Sequence, residues 1–207
     1  MEPRSVPRSV SPPRSRDPHA PLVDRAKAGD RGALESLLYA LQPSMYRAVG
    51  SVLGGAHPSL EDVVQDSLLG FARALKGFRG QCSARSYATN IAVRTAIDLV
   101  RAESAKARVL RAVEADPSQD ADPTQSPERT SILRASTQLL LEVLSPEQAE
   151  AMILRAVFGF SYEEMGRTLS VPSETARSRV KRARKAVNAA VASNPELAAA
   201  LRAGRES

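Results

Sequence analysis

Between Ser173 and Val187 the chain carries six basic side chains, Arg177, Arg179, Lys181, Arg182, Arg184 and Lys185, against one acid, Glu174. Side chains of this kind at this density neutralise phosphates. Those nearest the start of the segment, Thr175, Arg177, Ser178 and Arg179, carry the donors and acceptors that read base edges in a DNA major groove. No other chemistry is comparably supplied. With two histidines, His19 and His57, and one cysteine, Cys82, the chain lacks the residues for a multi-cysteine zinc site or an internal disulfide. It also shows no Ser/His/Asp set and no Gly-rich phosphate loop. The expectation is a protein that is not an enzyme and needs no cofactor. The lone Cys82 reads as an ordinary small side chain, because reactivity requires a lowered pKa that sequence does not show.

A basic segment binds DNA only if an element turns it one way. Ala176, Val180, Ala183 and Val187 recur at helical spacing and leave the six basic residues on the other side. Just upstream, Ser161 and Glu164 spell a capping box that opens a helix with Met165 and Leu169 on one face. Ser170-Val171-Pro172 stops that helix, since proline removes a donor and disfavours helical geometry at Val171. Two short helices joined so tightly, the second one basic, predict a helix-turn-helix. A charge run alone would be a solvated face; the caps and the turn argue for DNA.

The rest of the chain must carry this unit. It has 207 residues, 43% apolar and 4% aromatic, no tryptophan and a net charge of +6. That composition predicts an all-α fold of two small helical domains with Leu, Val, Ile and Ala cores, and an acidic partner such as nucleic acid. No apolar run reaches membrane-spanning length and the start lacks a secretory apolar core, so the expected location is cytoplasmic. Residues 1–21 hold six prolines, four serines and four arginines and read as a disordered basic tail. Residues 22–112 read as the first helical domain. Asp30 caps a helix bearing Leu34, Leu37, Leu38 and Leu41, which Pro43 bends or breaks. Ser59 with Asp62 resembles a second box, opening a helix with Leu60, Val63, Val64, Leu68, Phe71 and Leu75 on one face and an acidic opposite face. A third helix starts at Ser83, with Tyr87, Ala88, Ile91, Ala92, Ala96 and Leu99 inward and Arg85, Asn90, Arg94 and Arg101 outward.

Residues 113–127 form the expected acidic linker: the segment Glu114 to Glu128 has five acids, three prolines and no base. Residues 128–192 read as a four-helix domain ending in the helix-turn-helix, with Ser126-Pro127 and Ser145-Pro146 as helix starts. Ile132, Leu133, Leu139, Leu140 and Val143 mark its first helix, and Met152, Ile153, Ala156 and Val157 its second. Residues 193–207 read as a terminal tail.

The blocks EDVVQDSLLGFARAL (61–75), FRGQCSARSYATNIAVRTAIDLVR (78–101) and LSPEQAEAMILRAVFGFSYEEMGRTLSVPSETARSRVKRARKAV (144–187), in this order and at these distances, resemble the extracytoplasmic-function subfamily of bacterial sigma factors. The resemblance implies that Asp62, Gln65, Asp66 and Leu69 dock on RNA polymerase core, whose clamp helices and flap are the partners. It implies that Arg79, Gln81, Cys82, Ser83, Arg85, Tyr87, Asn90 and Arg94 open the minus-ten promoter element and hold an unstacked base. It implies that Ser173, Glu174, Thr175, Arg177, Ser178, Arg179, Lys181 and Arg182 read the minus-thirty-five element. An anti-sigma partner follows from the same resemblance. Tyr87 stands where the family usually has tryptophan, and Arg94 where asparagine is common. The competing reading is a stand-alone helix-turn-helix regulator that works without polymerase, which leaves the first domain unexplained.

Overall fold

A computed structural model describes residues 17–113 and 137–195, together with Ala198. Within them all regular structure is helical: α1 (Ala20–Lys27), α2 (Arg31–Leu53), α3 (Leu60–Ala74) with a 3-10 turn at Leu75–Gly77, α4 (Ala84–Val113), α5 (residues 137–143), α6 (Pro146–Ala156), α7 (Tyr162–Leu169) and α8 (Ser173–Ser193).

The first module is built on α2 and α4, with α1 against α2 and α3 against both. Leu37, Leu41, Met45, Val49 and Val52 fall on one side of α2 and are buried. Ala88, Ala92 and Ala96 of α4 are fully buried as well, and their small side chains allow close helix approach. Val63, Val64 and Phe71 close the core from α3. Each large side chain buried this way is worth roughly 1.5–3 kcal/mol before chain entropy is set against it.

Several local expectations are corrected. Pro43 neither ends nor divides α2, which runs unbroken through it. The proline costs the Tyr39 carbonyl its helical donor, and Tyr39 is 80% exposed, on the side where water can take that role. Ser59 makes no side-chain cap; its backbone N–H donates to His57 Nδ1 at 3.1 Å instead. The expected tail reaches only to residue 16, because a turn begins at Asp17 and α1 at Ala20. Helix α4 continues to Val113, which was placed in the linker. The proposed cap at Ser126-Pro127, the apolar pair Ile132 and Leu133, most of the linker and nearly all of the terminal tail lie outside the described residues.

The second module packs α8 against α6 and α7. Both predicted starts hold. Ser145 Oγ accepts from Gln148 N and the Gln148 side chain returns to Ser145 N at 3.1 Å; Ser161 Oγ accepts from Glu164 N at 3.1 Å, with Glu164 Oε2 returning at 2.8 Å. Here too the apolar stripe is displaced. Leu139 and Val143 are exposed on α5 whereas Leu141 and Leu144 are buried, and Ala156 and Val157 are exposed whereas Ala149, Ala151 and Leu154 are buried.

In the helix-turn-helix, Ser170 takes a left-handed conformation (φ 56°) that ends α7, and Pro172 precedes α8. Gly166 lets the two helices meet: a Cβ there would lie 2.8 Å from the Val171 carbonyl oxygen and 3.2 Å from Ser173 N. These are backbone atoms that cannot step aside. Gly166→Ala is therefore expected to destabilise the protein by about 1–3 kcal/mol, read as a lower thermal midpoint. Gly70→Ala, whose Cβ would meet only the Ile91 side chain at 3.5 Å, should leave the midpoint near or above wild type.

Candidate nucleic-acid and partner interface

Asp62, Gln65, Asp66 and Leu69 follow an i, i+3, i+4, i+7 stripe on α3 and all four are exposed, while Val63, Val64, Ser67 and Phe71 turn into the core. Leu69 is 48% exposed. An apolar side chain among acids and an amide has the layout of a small docking patch.

The loop of residues 78–83 and the first half of α4 form a second surface. Ser83 Oγ accepts from Ser86 N at 3.0 Å, the predicted cap. A contribution that no local pattern announces comes from α1 and the turn before it: Asp17 Oδ2 accepts from Ala84 N at 2.7 Å, and Lys27 Nζ donates to the Phe78 carbonyl at 2.7 Å. These two bonds, 67 and 51 residues apart in sequence, fasten both ends of the loop. Tyr87 stacks on the buried Phe78 at 4.9 Å between ring centroids and meets Phe71 at 6.0 Å. One face of the Tyr87 ring is thus committed to the core. Arg79, Gln81, Arg85 and Arg94 are exposed, and Cys82 and Ser83 are half-buried. Asn90, expected outside, is only 5% exposed.

It is covered by the second module. Glu150 of α6 is buried, and its Oε1 lies 3.4 Å from Arg94 Nε. Burial pushes the Glu150 carboxyl up, opposed by Arg94, Arg179 and the Asn90 amide. Arg101, expected outside, donates to the carbonyls of Leu141 at 3.2 Å and Leu144 at 2.6 Å. The Arg47 guanidinium of α2 sits 5.7 Å from the Phe158 ring. An open cleft between the modules is lined by Arg79, Gln81, Cys82 and Tyr87 on one side and by Arg167, Thr168 and Ser170 on the other. The two modules are packed against one another rather than held apart.

The third surface is the start of α8. Ala176, Val180 and Ala183 are buried as predicted, and Glu174, Arg177, Lys181 and Arg182 are exposed, with Ser173, Thr175, Ser178 and Arg179 intermediate. Several side chains are already oriented. The Tyr162 ring lies between two guanidinium groups, Arg155 at 5.0 Å and Arg177 at 4.8 Å; Arg182 Nη2 donates to Ser178 Oγ at 3.1 Å. Cation–π stacking holds a long side chain in one rotamer, which lowers the entropy cost of a later contact.

Comparison with known proteins agrees with this arrangement. Sigma-70 region 2 matches residues 37–106, and sigma-70 region 4 matches residues 134–187. The ECF RNA polymerase sigma-E factor of Salmonella typhimurium is 31% identical over 177 residues, covering 81% of this chain and 91% of that protein. The chain belongs to the extracytoplasmic-function sigma factors. The RNA polymerase sigma-H factor of Pseudomonas aeruginosa is 29% identical over 185 residues, 82% of this chain and 92% of its own length. CnrH, solved in complex with the cytosolic domain of CnrY, has the same fold, with a TM-score of 0.52 and 22% identity over 88% of this chain and 96% of that one. The sigma factor is a promoter-specificity component of RNA polymerase, not a stand-alone regulator, and its family consists of initiation factors rather than enzymes. Among the described residues no helix is long and apolar enough to cross a membrane.

The environment of Cys82 bears on reactivity. Burial pushes its thiol up, with the Thr168 hydroxyl and the Arg167 guanidinium pulling the other way. A thiol shifted upward holds less thiolate at neutral pH, so alkylation by iodoacetamide at pH 7.5 is expected to run several-fold slower than for N-acetylcysteine. A faster reaction would mark an activated cysteine.

Proposed function

We propose that this sigma factor distributes its work over the three surfaces: the α3 stripe docks on RNA polymerase core, the 78–83 loop and α4 engage the minus-ten element, and α8 reads the minus-thirty-five element. The observation that carries the reading is the α3 stripe. A helix that buries one face fully in its own module, yet presents acids around an exposed leucine on the other, is shaped for a protein partner. Among its four members Leu69 is the expected anchor, since apolar contacts at the centre of a patch dominate binding and charged rims tune it.

For the minus-ten step, Arg79, Gln81, Cys82, Ser83, Arg85, Tyr87, Asn90 and Arg94 remain the assigned set, and Asp17 and Lys27 join it as positioning residues for the loop. The free side of the Tyr87 ring suits stacking of an unstacked base, a contact worth about 1–3 kcal/mol. For the minus-thirty-five step, Ser173, Glu174, Thr175, Arg177, Ser178, Arg179, Lys181 and Arg182 are assigned, with Arg179 a candidate for base edges and Lys181 and Arg182 for phosphates. Core polymerase, promoter DNA and an anti-sigma protein that covers these faces are the proposed partners, in the cytoplasm.

Run-off transcription from a genomic fragment library with purified core polymerase, followed by mapping of starts, tests the reading. New starts sharing two spaced upstream elements are expected only when the sigma factor is added. Two variants divide the surfaces. Leu69→Asp should weaken core binding by roughly tenfold or more while helical content is unchanged. Arg179→Ala should cost about 1–3 kcal/mol of discrimination at one minus-thirty-five position, visible in competition between duplexes, with core binding intact. Equal loss on all duplexes would instead make Arg179 a phosphate contact.

A further inference from the structure

We propose that the chain is self-inhibited: the second module folds onto the promoter-strand face of the first, where the Glu150 carboxylate occupies the place beside Arg94 and Asn90 that a DNA phosphate would take. This rests on the reading of Arg94 and Asn90 as facing promoter DNA. The contact involves residues of that same surface. Arg94 pairs with Glu150, Asn90 is buried beneath it, and Arg79, Gln81, Cys82 and Tyr87 share their cleft with Arg167, Thr168 and Ser170 of the helix-turn-helix. Arg101 is held by two carbonyls at the end of α5. A strand of DNA on this face needs the room that α6 and α7 take.

The chemistry of the contact argues for something that opens. A seam meant to be permanent would be apolar, because a buried carboxylate costs several kcal/mol that one arginine at 3.4 Å offsets only in part. Instead the closure places polar groups out of reach of full hydrogen bonding. Among the described residues, Asn90 Oδ1, Arg101 Nε, Glu150 Oε1 and Thr168 Oγ1 are buried at or beside the seam without a hydrogen bond in the protein. Unsatisfied buried polar atoms are costly, so the closed form is lightly held. A strong competitor for Arg94 and Asn90 can displace it. Inter-domain seams of this polar kind open and close by default.

The apparent affinity of a partly closed protein falls by the fraction that is open. With a tenth of the molecules open, releasing the seam raises affinity about tenfold. The probe is a fluorescent single-stranded non-template oligonucleotide spanning the minus-ten region of a start mapped by run-off. Glu150→Gln, which removes the charge that pairs with Arg94, should bind it about fivefold or more tightly than wild type by the same relation, and small-angle scattering should show a larger radius of gyration.

The opposite lock uses the single natural cysteine, which lines the cleft with Thr168. In Thr168→Cys, diamide should join the two thiols within one chain. The oxidised form should bind the oligonucleotide at least about tenfold more weakly than the same protein reduced. Cys82→Ser in that background removes the cross-link.

Unchanged scattering and unchanged oligonucleotide affinity in Glu150→Gln would overturn the proposal. So would a cross-linked form that binds as well as the reduced one. If the cross-link forms but Arg94→Ala in the Glu150→Gln chain binds the oligonucleotide as tightly as its parent, closure stands and the promoter reading of Arg94 fails. Core-dependent start selection by Glu150→Gln separates both from the sigma assignment, since it should persist whichever way the seam behaves.

Discussion

One helix, α4, has to satisfy three neighbours with a single cylinder of side chains, and much of the architecture follows from how it does so. Toward α2 it offers Ala88, Ala92 and Ala96, fully buried, so that the two longest helices of the first module approach closely. At its start it is held by Ser83 from its own loop and by Asp17 from before α1. Along the remaining side it carries Asn90, Arg94 and Arg101, and these meet α6 and α5. Small residues on one face set the core, and polar residues on the next set the partners. Neither could be exchanged without losing the other, because a helix of fixed pitch assigns each residue to one face only.

The parts legible in the sequence are those decided within a few residues. The capping boxes at Ser145 and Ser161, the left-handed stop before Pro172 and the buried Ala176, Val180 and Ala183 each depend on neighbours at i+3 or i+4, which the sequence displays. The illegible parts depend on distant partners. Ser59 looks like Ser161, but the buried His57 beside it takes its N–H, and the box does not form. Pro43 looks like a stop, yet packing of Leu41 and Met45 on either side of it holds the helix together. Leu139 and Val143 fit a helical stripe as well as Leu141 and Leu144 do. Only the arrival of α4 decides between them, through Arg101. Asn90 was placed outside for the same reason: nothing near it in sequence reveals Glu150.

The site divides along the same line. The α3 stripe and the exposed basic residues of α8 were readable because exposure is the complement of an amphipathic pattern. Asp17, Lys27 and Phe78 were not, since what they do is hold a loop from across the module. Their placement explains why a loop with two glycines, Gly77 and Gly80, can keep a definite shape. Fixing it in advance lowers the ordering cost that strand capture would otherwise carry.

Polymerase docking and promoter engagement are separable events in this molecule, and the geometry sets their order. In the closed arrangement Asp62, Gln65, Asp66 and Leu69 stay exposed, whereas Asn90 and Arg94 are engaged by Glu150. Core polymerase can therefore dock on α3 without first opening the seam. DNA must displace the carboxylate. Docking that also draws the second module toward another site on polymerase would favour the open form by the difference in contacts between the two states, and by no more than that. The lightly satisfied seam keeps the required difference small. Free chain then holds its promoter face covered while remaining able to find polymerase, which is the order in which a specificity factor has to act if it is not to occupy promoters alone.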